Sequence, residues 1–247
     1  SFTGAEYLLQ IPMQAEYIIC SDLEQLSLQA ARHCLQLAQQ CVARHGAFHI
    51  ALAGGSTPKR LYRTLSQAPF LQQMPWSQTQ VFFGDERSVA SSHPDSNVAM
   101  AQATLLSKVP IPEQNIHRLH GELSGIRQSA SAYEHCLQQH LPSTAQGIPQ
   151  LDLILLGMGE DGHTASLFPN TCLLHENSRW VAVNFVPQLN TWRISFTFPL
   201  INSATHIAVL VAGAAKQKRV QEIFSSEQLV YPIQQVRART QTLWFLD

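Results

Sequence analysis

The sequence predicts an α/β fold in which helices cover both faces of a mainly parallel central sheet. Predicted strands and helices alternate along the chain, and most predicted strands are continuous apolar runs. Alternation favours parallel connections, and a strand buried on both faces shows such a run. With 247 residues, 45% of them hydrophobic, the chain can bury a full core without a metal or disulfide. We therefore expect a single domain over residues 1–247.

The first part of the chain supplies the opening helices and strands of this fold. Asp22 is a typical N-cap for a helix that continues to about Arg44. The run "FHIALA" (48–53) predicts a buried strand, followed by a glycine-rich turn and a helix opened by Pro58. A second strand, "QVFFGDER", ends in a polar turn, and Asp95 begins a helix through Leu106.

The second part repeats the alternation. A helix is predicted from about Ser124 to His140, and "LPSTAQGIPQ" (141–150) is interpreted as a surface loop. The run "LDLILLG" (151–157) predicts a third buried strand, after which "EDGHTASLF" is expected to begin a helix. Two strands follow in "WVAVNFV" and "WRISFTFP", the second of which alternates. "THIAVLVAG" (205–213) is a further buried strand, and "AAKQKRVQEIF" is a helix.

Charge and cysteine content narrow the class of protein. A net charge of −1 provides no general attraction to nucleic acid or an anionic membrane. No apolar run is long enough to span a membrane, and no signal-peptide pattern is visible. The five cysteines are odd in number and lack a C-x-x-C spacing, which favours reduced thiols. We expect a cytoplasmic protein, a monomer or weak dimer, with no nucleic-acid or membrane partner.

Unusual polar residues follow four predicted strands at the point where each strand ends. These turns are Gly54 to Pro58, Gly84 to Arg87, Gly157 to His163, and Gly213 to Lys216. Ligands of open parallel sheets bind outside the carboxyl ends of the strands. The four turns are therefore expected to meet around one ligand site.

The first of these turns has the chemistry of an anion site. Gly55 allows close approach of backbone N–H groups, Ser56 and Thr57 add hydroxyl donors, and a helix N-terminus follows. A simple strand-to-helix turn capped by serine explains the same residues equally well. Neither a Walker loop nor a nucleophile elbow fits the spacing. The cations Arg87, Arg193 and Lys216 suit a phosphate, although each alone could be a solvated surface charge.

The segment Gly157 to Gly162 matches the dinucleotide pattern G-x-G-x-x-G. That function needs an acidic residue about 20 positions later and the first strand of a nucleotide-binding half, and both are lacking. His163 can accept and donate a proton near neutral pH, and Asp161 is a candidate to orient it. The alternative for His163 is a helix-capping or core residue. No zinc motif is present, so we expect neither a metal nor a cofactor.

Taken together, these motifs resemble the 6-phosphogluconolactonase family. The matching stretches are "ALAGGSTPKRLY", "FFGDER", "HPDSN", "DLILLGMGEDGHTASLFP", "RISFTFPLIN" and "GAAK", in family order over residues 51–216. The resemblance implies a three-layer, Rossmann-like α/β fold. It also implies hydrolysis of 6-phosphoglucono-δ-lactone in the pentose phosphate pathway without a cofactor. His163 and Asp161 then become the catalytic pair.

The same resemblance assigns the substrate-binding residues. It implies a phosphate site at Arg87 and Lys216, helped by Ser56, Thr57 and Arg193. Asp85 and Asn97 are expected to bind sugar hydroxyls.

The wider superfamily includes glucosamine-6-phosphate deaminases, which carry a glutamate where this chain has Phe168. Phenylalanine cannot move a proton, so the lactonase function is favoured over deamination. A non-catalytic sugar-phosphate sensor and a general esterase are the remaining alternatives.

Overall fold

A six-stranded, all-parallel sheet forms the centre of the protein in a computed structural model that describes residues 15–225 and 228–247. Its strands run in the order β1-β9-β8-β5-β2-β3. Their bounds are β1 Ala15–Ile19, β2 Phe48–Leu52, β3 Thr79–Phe83, β5 Leu153–Gly157, β8 His206–Val211 and β9 Gln241–Leu246.

The middle strands of this sheet are buried on both faces. All of β2 and all but the last residue of β5 are buried. Since successive side chains of a strand point to opposite faces, both faces of the sheet must be covered. The predicted α/β class with a mainly parallel central sheet is confirmed.

Seven α-helices are found in the described part of the chain. They are α1 Leu23–His45, α2 Ser56–Leu65, α3 Phe70–Gln73, α4 Asn97–Ala101, α5 Ile126–His140, α6 Phe198–Ile201 and α7 Ala214–Ser225. The Asp22 carboxylate accepts a hydrogen bond from the Gln25 N–H, which confirms the predicted cap of α1. None of the helices in the described ranges is long and apolar enough to cross a membrane.

A second, three-stranded antiparallel sheet accompanies the parallel one. It has the order β4-β7-β6, with β4 Asp85–Arg87, β6 Val181–Val186 and β7 Thr191–Phe196. The single predicted strand "QVFFGDER" is thus divided between two sheets. Gly84 forms the corner, donating its N–H to the Leu52 carbonyl of β2 and accepting from the Phe196 N–H of β7.

The predicted helix starting within "EDGHTASLF" is wrong. Residues 158–171 form a loop, in which Gly162 (φ 78°) and Ala165 (φ 48°) both have left-handed backbone conformations that a right-handed helix excludes. The Asp161 carboxylate accepts the backbone N–H of His163, so local side-chain bonding replaces helical bonding. The helix predicted from Asp95 begins instead at Asn97, capped by Ser96, and continues into a π-helical turn over Gln102–Leu106.

Candidate active site

A cavity opens at the carboxyl ends of β2, β5 and β8. His163 and all the predicted substrate-binding residues line it: Gly55, Ser56, Thr57, Asp85, Arg87, Asn97, Arg193 and Lys216. The strand order explains this convergence, because β5 lies between β2 and β8. Asp161 does not line the cavity and reaches it only through His163.

His163 and Asp161 form a direct pair. Nδ1 of His163 lies 2.5 Å from Oδ1 of Asp161, and the same oxygen accepts the backbone N–H of His163 at 3.1 Å. Burial raises the pKa of Asp161, but the hydrogen bonds and charge of His163 outweigh this and hold it below its usual value. An ionised Asp161 fixes a proton on Nδ1, which leaves Nε2 as the nitrogen available to a reactant.

Gly159 gives this pair its space. A Cβ on Gly159 would lie 2.2 Å from two ring atoms of His163 and 2.7 Å from Oδ1 of Asp161. The N–H of Gly159 also donates to the His163 carbonyl at 2.9 Å, which closes the loop. Only glycine therefore allows the imidazole to lie against the backbone at this position.

The far side of the loop is held by residues near the end of the chain. A Cβ on Gly162 would lie 2.6 Å from Cβ of Tyr231, and the Gly162 carbonyl accepts the Ile233 N–H. The Arg219 guanidinium stacks on the Tyr231 ring and donates to the Glu160 carbonyl at 2.6 Å. The second half of the glycine pattern is thus explained by packing, and no dinucleotide is needed to explain it.

Phe168 packs directly against His163. The two rings are stacked, with centroids 4.0 Å apart and planes inclined by 20°. The Arg193 guanidinium lies over the Phe168 ring at 5.5 Å. Phe168 is buried and contacts both the imidazole and a cation, and the sequence analysis did not anticipate these contacts.

Two arginines face each other across the small sheet. Arg87 of β4 and Arg193 of β7 are directly opposite in the antiparallel register, an arrangement in which like charges repel. Nη1 of Arg87 donates to the Asp95 carbonyl, whereas its Nε is buried with no hydrogen-bond partner within the described residues. Burial lowers the pKa of Arg193. A bound dianion would relieve the repulsion between the two guanidinium groups.

Lys216 and the N-terminus of α2 complete the positive lining. Lys216 lies in the first turn of α7, and burial lowers the pKa of its ammonium group. Gly55 has a φ of 101° and precedes the first turn of α2, to which no side-chain cap is bonded. The first N–H groups of a helix lack internal partners, so this turn can donate to an anion beside the exposed hydroxyl of Ser56.

Asp85 and Asn97 form a buried polar network in the wall of the cavity. The Asn97 amide donates to the Asp85 carbonyl and carboxylate at 3.0 and 3.1 Å. The Ser166 hydroxyl donates to the other carboxylate oxygen at 2.7 Å. A Cβ on Gly54 would lie 2.0 Å from Oδ1 of Asn97, so glycine is required for this contact too. Each carboxylate oxygen of Asp85 thus already accepts one hydrogen bond within the protein, out of about two that it can accept.

The sequence analysis missed Glu86. Its buried carboxylate accepts the backbone N–H groups of Arg87, Asn97 and Val98 and the Ser96 hydroxyl. It thereby fastens the start of α4 to β4, and burial raises its pKa despite these bonds. Glu86 could have been found from its position in "GDER", between two predicted site residues. A carboxylate buried there must be fully hydrogen-bonded to be tolerated.

The cavity thus combines an imidazole held by a carboxylate with three cations and a helix N-terminus. This arrangement can move a proton at one end of a small molecule while holding an anionic group at the other. The fold and site define an α/β enzyme that acts on small anionic substrates.

The particular family follows from comparison with known proteins. The chain belongs to the glucosamine-6-phosphate isomerase/6-phosphogluconolactonase family, whose model matches residues 21–244. It is 43% identical over 235 residues to a probable chloroplastic 6-phosphogluconolactonase 3 of Oryza sativa, covering 91% of this chain and 71% of the relative. A 6-phosphogluconolactonase of Nostoc is 41% identical over 208 residues, covering 83% and 84%.

A solved structure shows the same fold. The crystal structure of 6-phosphogluconolactonase from Leishmania guyanensis superimposes with a TM-score of 0.82 at 31% identity, covering 94% of this chain and 96% of that one.

Proposed function

We propose that this protein hydrolyses 6-phospho-D-glucono-1,5-lactone to 6-phospho-D-gluconate, as a step of the oxidative pentose phosphate pathway. The observation that carries the proposal is the placement of the His163–Asp161 pair in one cavity with Arg87, Arg193 and Lys216. The names of the relatives point to the same substrate.

The chemistry of a lactone requires one group that first takes and then returns a proton. Nε2 of His163 removes a proton from water as the water oxygen attacks the C1 carbonyl. The tetrahedral oxyanion then collapses, the bond from C1 to the ring oxygen breaks, and the imidazolium protonates that leaving oxygen. The product acid ionises, so one proton is released for each lactone consumed. Asp161 keeps the imidazole in the required tautomer and stabilises its charged form.

The phosphate serves as a handle for positioning, because it lies far from C1. Arg87 and Lys216 bind it in our proposal, with Ser56, Thr57 and Arg193 as helpers. Backbone N–H groups of the glycine turns stabilise the oxyanion at C1, and Arg87 would do so only if it did not bind the phosphate. Asp85 and Asn97 are assigned to sugar hydroxyls. We give Asp85 the smaller share because its carboxylate already accepts from Asn97 and Ser166.

The test is hydrolysis of freshly generated lactone by the wild type and by His163→Ala, with the spontaneous rate subtracted. General acid–base catalysis normally supplies about 10²–10⁴-fold, so a loss below about tenfold would refute the role of His163. A non-phosphorylated lactone is the control substrate, and His175→Ala, outside the cavity lining, is the control variant.

Lys216→Ala separates binding from chemistry. We expect a higher KM and weaker binding of 6-phosphogluconate, with kcat changed much less, because Lys216 would contact only the phosphate. Unchanged affinity for 6-phosphogluconate would remove Lys216 from the phosphate site.

Deamination of glucosamine 6-phosphate is the alternative function, and Phe168 argues against it. The Phe168 ring occupies one face of His163 with an apolar surface, where a proton-transferring carboxylate would be needed. Absence of ammonia release from glucosamine 6-phosphate is the expected result.

We further propose that the chain acts as a single catalytic domain, a monomer or weak dimer in the cytoplasm. Its cysteines, all unpaired in the described ranges, would remain reduced there.

A further inference from the structure

Three metal-binding side chains converge at the edge of the parallel sheet, among residues that do not line the catalytic cavity. His117 follows a short 3-10 turn and pairs through its N–H with the Val81 carbonyl of the edge strand β3. Cys136 and His140 lie on α5 at i and i+4, which places them on one face of the helix. One donor atom from each of the three residues lies within 4.8 Å of the other two.

The distances match the edges of a tetrahedral zinc site. Sγ of Cys136 lies 3.6 Å from Nδ1 of His117 and 3.7 Å from Nδ1 of His140. Zn–S and Zn–N bonds of about 2.3 and 2.05 Å at a tetrahedral angle place S and N about 3.6 Å apart. His140 is exposed, and its Nδ1 lies 2.8 Å from the Cys136 carbonyl, so metal binding requires the ring to give up this contact.

A chain of hydrogen bonds fixes the tautomer of His117. The Asn115 amide donates to the Ser77 carbonyl, so its oxygen accepts from the Gln80 amide. The Gln80 oxygen must therefore accept from Nε2 of His117, at 2.7 Å. Nδ1 is left as a bare lone pair facing the thiol. Metal-binding histidines almost always donate their other ring N–H to such an acceptor.

We propose that His117, Cys136 and His140 form a zinc site separate from the catalytic cavity, with water as the fourth ligand. A thiolate and two imidazoles are ligands that zinc prefers. The thiol proton passes to solvent as the Zn–S bond forms. Because the metal would tie α5 to the segment after β3, it binds the folded state and stabilises it. The sequence analysis expected no metal. It did not detect this group because His117 is distant from Cys136 in sequence and forms no recognisable motif with it.

A second group, Cys41, His45 and Asp152, is a weaker candidate. The Asp152 carboxylate already accepts the His49 backbone N–H and contacts the rings of His45 and His49, so both of its oxygens already have partners. It supplies a useful control within the same chain.

The experiment is a titration of metal-free, reduced protein with Co²⁺, followed by Zn²⁺. We expect a thiolate-to-cobalt charge-transfer band that saturates at one Co²⁺ per chain and disappears when one equivalent of Zn²⁺ is added. Cys136→Ser should abolish the band. His140→Ala changes an exposed side chain, so it should keep the fold and weaken binding. Gln80→Leu should weaken Zn²⁺ binding about 10–100-fold by releasing the His117 ring.

Two variants serve as matched controls. His135→Ala removes an exposed histidine adjacent to Cys136 on the same helix, and Cys41→Ser removes the thiol of the second group. Both should keep the band, and Zn²⁺ should raise the melting temperature of both as it does that of the wild type. A band that survives Cys136→Ser, an unchanged Co²⁺ affinity in His140→Ala, or a band that Cys41→Ser abolishes would overturn the assignment, as would absence of any band in the wild type.

Discussion

Gly159→Ala should impair the proposed catalytic pair, His163 and Asp161, without replacing either residue. The new methyl group would lie 2.2 Å from the His163 ring, whereas ordinary contacts begin near 3.4 Å. The ring must therefore move by about 1.2 Å, and a displacement of about 1 Å can cost on the order of 100-fold in rate. That factor corresponds to about 2.7 kcal/mol of lost transition-state stabilisation. KM should change less, because the substitution leaves Arg87, Arg193 and Lys216 in place.

The assay is steady-state hydrolysis of the phosphorylated lactone, with thermal unfolding measured in parallel to confirm folding. Gly84→Ala is the matched control: it makes the same change beside the same sheet edge, and its Cβ would have only ordinary contacts, at 3.7 and 3.9 Å. If Gly159→Ala folds and its kcat stays within about threefold of the wild type, the proposed tight packing of His163 is refuted.

Three further substitutions address other parts of the structure. Arg193→Met should raise KM and increase the unfolding free energy of ligand-free protein by up to about 1 kcal/mol, because burial disfavours the charged guanidinium and Arg87 repels it, although Asp85 attracts it; unchanged KM and stability in kinetics and urea unfolding would contradict this. Phe168→Leu keeps an apolar side chain but removes the flat surface under His163, so kcat should fall by about tenfold, and an unchanged kcat would show that stacking is dispensable. Burial, and then the charge of His206, lower the pKa of His33 from 6.5 to about 4. The folded protein therefore disfavours the protonated ring, and the free energy of unfolding falls as the pH drops from 6.5 towards 4. His33→Gln should flatten this part of the urea-unfolding profile, by on the order of 1 kcal/mol per pH unit, and an unaltered slope would exclude His33 as its source.

The position of the site could be predicted from sequence because it depends on a topological rule. Polar turns after buried parallel strands meet at one sheet edge, and the structure brings Ser56, Arg87, His163 and Lys216 together there. The identity of the family was equally accessible, because its motifs are spread over most of the chain.

The features that the sequence analysis missed depend on contacts between residues that are distant in the chain. The small antiparallel sheet was missed because β4 is only three residues long and pairs with β7 far along the chain. Residues 160–168 were predicted to begin a helix because nothing in the local sequence shows that Tyr231 and Ile233 hold the loop at Gly162. Phe168 was used only to exclude a glutamate, and its stacking on His163 required coordinates.

The antiparallel register that sets Arg87 opposite Arg193 makes the proposed contribution of Arg193 to anion binding an all-or-none property of strand pairing. A slip of one residue between paired strands turns every side chain to the other face of the sheet. Inserting one residue in the β6–β7 turn and shifting β7 against β4 would turn Arg193 out of the cavity rather than move it slightly. Changes in the length of this hairpin would therefore remove the proposed phosphate contact of Arg193 outright instead of weakening it by degrees.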